Sequence, residues 1–206
     1  MTNHRQAVKS QSAAPKGRSE RILDVAEQLA QRRGFNGFSY ADIAEELAVT
    51  KASLHYHFPS KADLGVRLIA RYHETFTGAL AEIDATIDDE AAKLRRYVAL
   101  YDEVIAQDRM CLCGMFAAEY ATLPAPMQVE LRAFFDANET WLASVLERGR
   151  KSDRLTVRMS PNAHARILVQ VLEGAMLVAR AYGDLDRFRS AADHALAELG
   201  VGVKAS

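Results

Sequence analysis

The sequence predicts an all-α fold. Apolar residues recur at three- and four-residue spacing along most of the chain. No run of β-branched residues alternates with polar ones over a useful length, and Gly and Pro fall between the periodic stretches. The 206 residues, 49% of them apolar, suffice for one large domain or for a small domain joined to a larger one.

Residues 1–17 are polar and are expected to form a disordered tail. They lack an apolar h-region, so no secretory signal is expected. A first helix is predicted from Ser19 to Arg33, with Ile22, Ala26 and Leu29 as its apolar stripe and Gly34 as its C-cap. Phe35 and Phe38 anchor the loop that follows. Ser39 caps a second helix and forms a capping-box pair with Asp42, while Ile43, Ala44 and Leu47 face inward. Thr50 caps a short third helix that ends near His57. Ser60 and Asp63 repeat the capping pattern for a fourth helix, Lys61 to Ala81. Longer helices are predicted over 90–108, 115–122, 127–152, 161–182 and 185–199. Ser160-Pro161 is a strong start signal, and Pro124 and Pro126 mark a break.

Two short helices in Ser39–Lys61 joined by a tight turn read as a helix-turn-helix. The small Ala44 permits the close helix crossing. Val49, Leu54 and Phe58 hold the second helix of the pair, which leaves Lys51, Ser53, His55, Tyr56 and His57 free to face outward. Lys51 and Lys61 suit DNA phosphates. The hydroxyls of Thr50, Ser53 and Tyr56 reach phosphates or base edges, and Ala52 and the Thr50 methyl can meet a thymine methyl. Ser39 and Tyr40 open one helix and Thr50 the next, so each offers a positive helix end to a phosphate. The opposing reading of His55-Tyr56-His57-Phe58 is an aromatic wall of a small core. A metal at the two histidines is not expected, because no Cys or carboxylate follows at ligand spacing; no cofactor is expected either.

The charge distribution agrees with a DNA-reading head. Residues 1–61 carry nine Lys and Arg against six Asp and Glu, and residues 62–206 carry 17 against 21. No apolar run reaches membrane-spanning length, so no membrane span is expected. Two cysteines, Cys111 and Cys113, indicate no disulfide framework and a reducing, cytoplasmic compartment. An enzyme is not expected: no Glu-x-x-His pair, no GxSxG and no GxxxxGK[ST] occurs.

The segments RILDVAEQLAQRRGF, SYADIAEELAVTKASLHYHFPSK and ADLGVRLI resemble the TetR/AcrR family of transcriptional regulators, over about Arg18–Phe76. The resemblance implies a three-helix DNA-binding domain over 18–64 and an effector-binding and dimerisation domain over 65–206. Thr50, Lys51, Ala52, Ser53, His55, Tyr56 and His57 would then face the major groove, with Lys61 as a phosphate clamp. The turn departs from the family pattern: Leu47-Ala48-Val49 carries no Gly, so a non-Gly residue at positive φ is expected, at a cost of about 1 kcal/mol.

One helix reads few base pairs, so a twofold homodimer on a palindromic double-stranded operator is expected. Residues 167–179 are apolar almost all round, which marks the helix for burial, and the resemblance places the last two helices against a second subunit. Ile167, Val171, Gly174 and Val178 are the candidate dimer contacts. Gln170 and Glu173 are its two polar residues, expected on one face. The resemblance also places a pocket for a small, largely apolar effector among the middle helices, with Tyr97, Tyr101, Cys113, Phe116, Glu119, Tyr120, Phe134 and Trp141 as candidates. Glu119 is the carboxylate that would meet a cationic ligand. The expected activity is a repressor released from DNA by that effector. Two alternatives stay open: a cysteine-based sensor of oxidants or electrophiles, and a helical protein-interaction adaptor that does not bind DNA.

Overall fold

A computed structural model of the chain describes residues 17–202. The tail expected over 1–17 lies outside them apart from Gly17, which is the N-cap of the first helix. The described residues form nine α-helices and no strand: α1 Arg18–Arg33, α2 Tyr40–Leu47, α3 Lys51–His57, α4 Lys61–Thr86, α5 Glu90–Ile105, α6 Leu112–Ala118, α7 Ala125–Lys151, α8 Pro161–Tyr182 and α9 Leu185–Glu198. A single 3-10 turn, Tyr120–Thr122, follows α6.

The short helices owe their ends to the predicted caps. Ser39 N–H donates to Asp42 Oδ2 at 2.8 Å, and the Ser39 hydroxyl accepts from Ala41 N–H at 3.2 Å. The Thr50 hydroxyl accepts from Ser53 N–H at 3.3 Å. Ser60 N–H donates to Asp63 Oδ2 at 3.0 Å, closing a second capping box. Each bond satisfies a donor that the start of its helix would otherwise leave bare, in the two-turn α2 and α3 as in the long α4. Between α2 and α3, Ala48 stands in the left-handed region at φ 52°, as the missing glycine required.

Three boundaries differ from expectation. Helix α4 continues to Thr86 because Leu80 and Ile83 prolong its buried stripe. Helix α5 stops at Ile105, and Asp108 turns the chain at φ 53°. Helix α6 begins at Leu112, earlier than the expected 115, because the Cys111 thiol serves as its N-cap and accepts from Gly114 N–H at 3.4 Å.

Ile22, Leu23, Ala26, Ile43, Leu54 and Phe58 form the core of the head. In the body α7 packs on α4, α5 and α8, and α8 packs along α9. Helix α4 belongs to both: its Arg71 binds Asp24 and Glu27 of α1 at 2.8 and 2.6 Å, while its Tyr72 and Phe76 pack on Phe134 of α7.

Candidate functional site

Helix α3 has one apolar side and one open side. Leu54 and Phe58 are buried, while Thr50, Lys51, Ala52, His55 and Tyr56 are exposed. Tyr56 stands out at 85% exposure, with its ring edge-on to His57 at 5.2 Å. A large aromatic side chain held this far into solvent contributes nothing to the core of the head. Ser53 and His57 are half-buried. Ser53 accepts from the Arg18 guanidinium at 3.2 Å, which brings a basic residue not singled out from the sequence to the edge of the same surface. The His55 ring packs on Tyr40 at 4.7 Å, and its Nδ1 lies 3.1 Å from the Pro59 carbonyl oxygen, so its outer edge has a fixed orientation.

Two predicted DNA-contact residues are placed elsewhere. Tyr40 is buried, and its hydroxyl donates to the Phe58 carbonyl at 2.8 Å. Burial, aided by Asp63, pushes its pKa up to about 12. It ties α2 to the end of α3; Ser39 beside it stays exposed. The Lys61 ammonium turns inward rather than clamping a phosphate. It donates to the carbonyls of Phe35 and Phe38 and lies over both rings, 4.6 and 4.3 Å from their centroids. Desolvation lowers its pKa, against Glu119 and Asp42, which raise it.

In the body, Tyr97, Tyr101, Cys113, Phe116 and Phe134 are all buried together. The Tyr97 hydroxyl donates to Asn138 Oδ1 at 2.8 Å, and Asn138 Nδ2 donates to the Tyr101 hydroxyl at 3.2 Å. Asn138 was not anticipated: an Asn inside a long amphipathic helix carries no signal of which way it faces. Trp141 stacks on Tyr97 with centroids 5.7 Å apart and donates from Nε1 to Asp84 Oδ2 at 2.8 Å.

Two candidates leave this cluster. Tyr120 is exposed and bonds to Arg132. Glu119 points away from the body core and accepts the backbone N–H groups of Phe35 and Asn36. The carboxylate that does enter the core is Glu173 of α8. Its Oε1 is buried with no hydrogen-bond partner, so it does not share an outer face with Gln170, which is exposed. Burial raises its pKa from 4.5 to about 7.

Cys111 and Cys113 are buried. Desolvation comes first and the Glu173 charge adds to it for both, with Cys111 also acting on Cys113, so both pKa values lie well above the ordinary thiol value. A reactive thiolate needs the opposite environment, so this conformation does not favour the cysteine-sensing alternative. Among the described residues, no three His, Cys, Asp or Glu side chains are placed to hold a metal, and no helix is long and apolar enough to cross a membrane.

The outer face of α8 is apolar and open. Ile167, Leu177, Val178 and Tyr182 are exposed despite their size, Gly174 is exposed and Val171 is half-covered. Together with Ala191 and His194 of α9, Val171, Gly174 and Val178 line a shallow groove.

A capped helix-turn-helix with a bare outer face, joined to a helical body, defines a DNA-reading head with a regulatory domain. Comparison with known proteins agrees. Residues 22–68 match the family model for bacterial regulatory proteins of the tetR family, and residues 90–195 match the tetracyclin repressor-like C-terminal domain. A TetR-family regulator from Agrobacterium tumefaciens of known structure is 37% identical, with a TM-score of 0.85 over 88% of this chain and 96% of that one. One from Legionella pneumophila is 33% identical, with a TM-score of 0.82 over 89% and 98%. The HTH-type transcriptional repressor NemR of Escherichia coli (strain K12) is 26% identical over 181 residues, 85% of this chain and 90% of its own length.

The chain belongs to the TetR family. It is a DNA-binding transcriptional regulator and not an enzyme.

Proposed function

We propose that the protein is a cytoplasmic homodimeric repressor that leaves its operator when a small, largely apolar effector binds in the body. The observation that carries the DNA-reading half is the bare face of α3, with Tyr56 at 85% exposure beside exposed Lys51 and His55. Thr50, Lys51, Ala52, Ser53, His55, Tyr56 and His57 form the reading set, with Arg18 at its margin.

The exposed apolar face of α8 supports dimerisation through Ile167, Val171, Gly174 and Val178. A contiguous apolar patch of this kind is what a subunit contact covers. Two copies would hold their α3 helices one DNA turn apart, roughly 34–36 Å, on a palindromic site. The effector acts by its preference for one of two conformations of the dimer.

Selection of genomic fragments bound by the purified chain identifies the operator. Electrophoretic shift at several salt concentrations then tests the reading. A specific complex with a steep negative salt slope is expected. Salt-insensitive association, or a monomer in light scattering at micromolar concentration, overturns it.

A further inference from the structure

We propose that the body holds a binding site for a small organic monocation, with Glu173 as its counter-ion. This deepens the effector-binding reading and rests on it.

The site lies where α4, α5, α6 and α8 meet. Elsewhere in this core, polar groups are matched: Tyr97, Tyr101 and Asn138 bond to one another in a closed set. Glu173 departs from this, with Oε1 buried and unpartnered; His164 Nδ1, nearer the start of α8, is the other such atom among the described residues. An uncompensated buried carboxylate is costly, and packing alone would be better served by Leu or Met at that position. The backbone also makes room for it: a Cβ on Gly114 would lie 2.1 Å from Glu173 Oε2. The Cys111 thiol faces the same carboxylate and favours its charged form.

The neighbours of Glu173 suit a cation rather than a water. Burial first, and the Glu173 charge after it, push the hydroxyls of Tyr72, Tyr97 and Tyr101 up. Phe76 packs edge-on to Tyr97 and Tyr101 at 6.2 Å, and Phe134 lies 5.3 Å from Phe76. An aromatic cluster around one carboxylate stabilises a desolvated ammonium by cation–π attraction and by charge. Tyr72 and Phe76 are only partly covered, so their side of the cluster lies nearest solvent.

The position also offers a route to the head. Gly114 lies against Glu173 near the start of α6, and Glu119 at the other end of that seven-residue helix grips the loop after α1. Two turns beyond Glu173 on α8, Arg180 bonds to the carbonyls of Gln31 and Arg32. A ligand that displaced Glu173 would therefore bear on both contacts.

The test uses the full chain without DNA, so that its failure leaves the operator reading intact. Benzylamine, benzyltrimethylammonium, benzyl alcohol and benzoate are titrated by calorimetry and by the fluorescence of Trp141, the single tryptophan. At least one cation is expected to bind tenfold or more tighter than the alcohol and the benzoate. Glu173→Gln should erase that preference while leaving alcohol binding unchanged. Gly114→Ala, which keeps the acid but fills its space, should weaken the cations by a similar factor and decides the matter if Glu173→Gln fails to fold. Cations that bind both variants as tightly as wild type, an alcohol that matches both cations on wild type, or no cation binding up to millimolar concentration overturns the site.

Discussion

The Glu119 carboxylate accepts the backbone N–H of Phe35 at 2.6 Å, across 84 residues of sequence. It also takes Asn36 N–H at 3.2 Å, so one side chain from the body satisfies two donors in the loop between α1 and α2. Gly34 is required there twice over. Its φ is 80°, and a Cβ would meet Glu119 Oε1 at 2.7 Å. Charge-assisted hydrogen bonds of this kind contribute about 1.5–3 kcal/mol. Glu119→Ala should cost roughly that much in chemical unfolding. It should also loosen the head from the body, seen as faster hydrogen exchange at Phe35 and Asn36. Unchanged exchange at those two amides would show that the bond does not hold the loop.

Much of the head was legible because its signals are local. Ser39 with Asp42, Thr50, and Ser60 with Asp63 each act within three residues, and each cap is present. Lys61 was misread because its partners, the carbonyls of Phe35 and Phe38, lie 26 and 23 residues away. Tyr40 was misread for the same reason: its hydroxyl reaches Phe58, 18 residues on. The exchange of roles between Glu119 and Glu173 has a similar origin. Both are acids in apolar stretches, and Glu119 falls at the end of α6, where it reaches the loop after α1. The start of that helix is set by a cysteine cap, a residue type absent from the usual capping set.

Ala48 occupies the turn of the helix-turn-helix at φ 52° and ψ 47°. An L-residue there carries a strain of about 1 kcal/mol that glycine avoids. Ala48→Gly should therefore raise stability by about 0.5–1 kcal/mol, less whatever the added freedom of the unfolded chain takes back. Ala48 is exposed, so no packing is lost. Urea denaturation of the pair measures it, and a variant less stable than wild type contradicts the strain.

Lys51 and Tyr56 are exposed and, among the described residues, make no hydrogen bond that holds the head together. Alanine at either position should leave the melting temperature within a degree or two and weaken operator binding tenfold or more. The two losses should differ in kind. Lys51→Ala should lower the slope of log affinity against log salt by about one, as a lost phosphate contact does. Tyr56→Ala should leave the slope near its wild-type value. Operator affinity unchanged in both variants removes α3 as the reading helix.

Glu173 makes stability depend on pH in a direction opposite to most carboxylates. Burial raises its folded pKa from the ordinary 4.5 to about 7. Below pH 4.5 the acid is protonated in both states and costs nothing extra. Between 4.5 and 7 the unfolded chain gives up this proton while the folded chain keeps it, so rising pH favours unfolding. Above 7 both states are ionised and the penalty levels off at about 3 kcal/mol, from 1.36 kcal/mol per pKa unit. The groups facing Glu173 do not titrate in this window. Tyr72 from α4, Tyr97 and Tyr101 from α5, and Cys111 and Cys113 beside it all have raised pKa values and stay neutral. Glu173→Gln should remove the dependence while leaving every other titrating group in place. The difference in unfolding free energy between variant and wild type should therefore grow from pH 5 to pH 7.5 and then flatten. A difference that is constant across that range would mean that the Glu173 carboxyl is solvated, and the cation site built on its burial would fall with it.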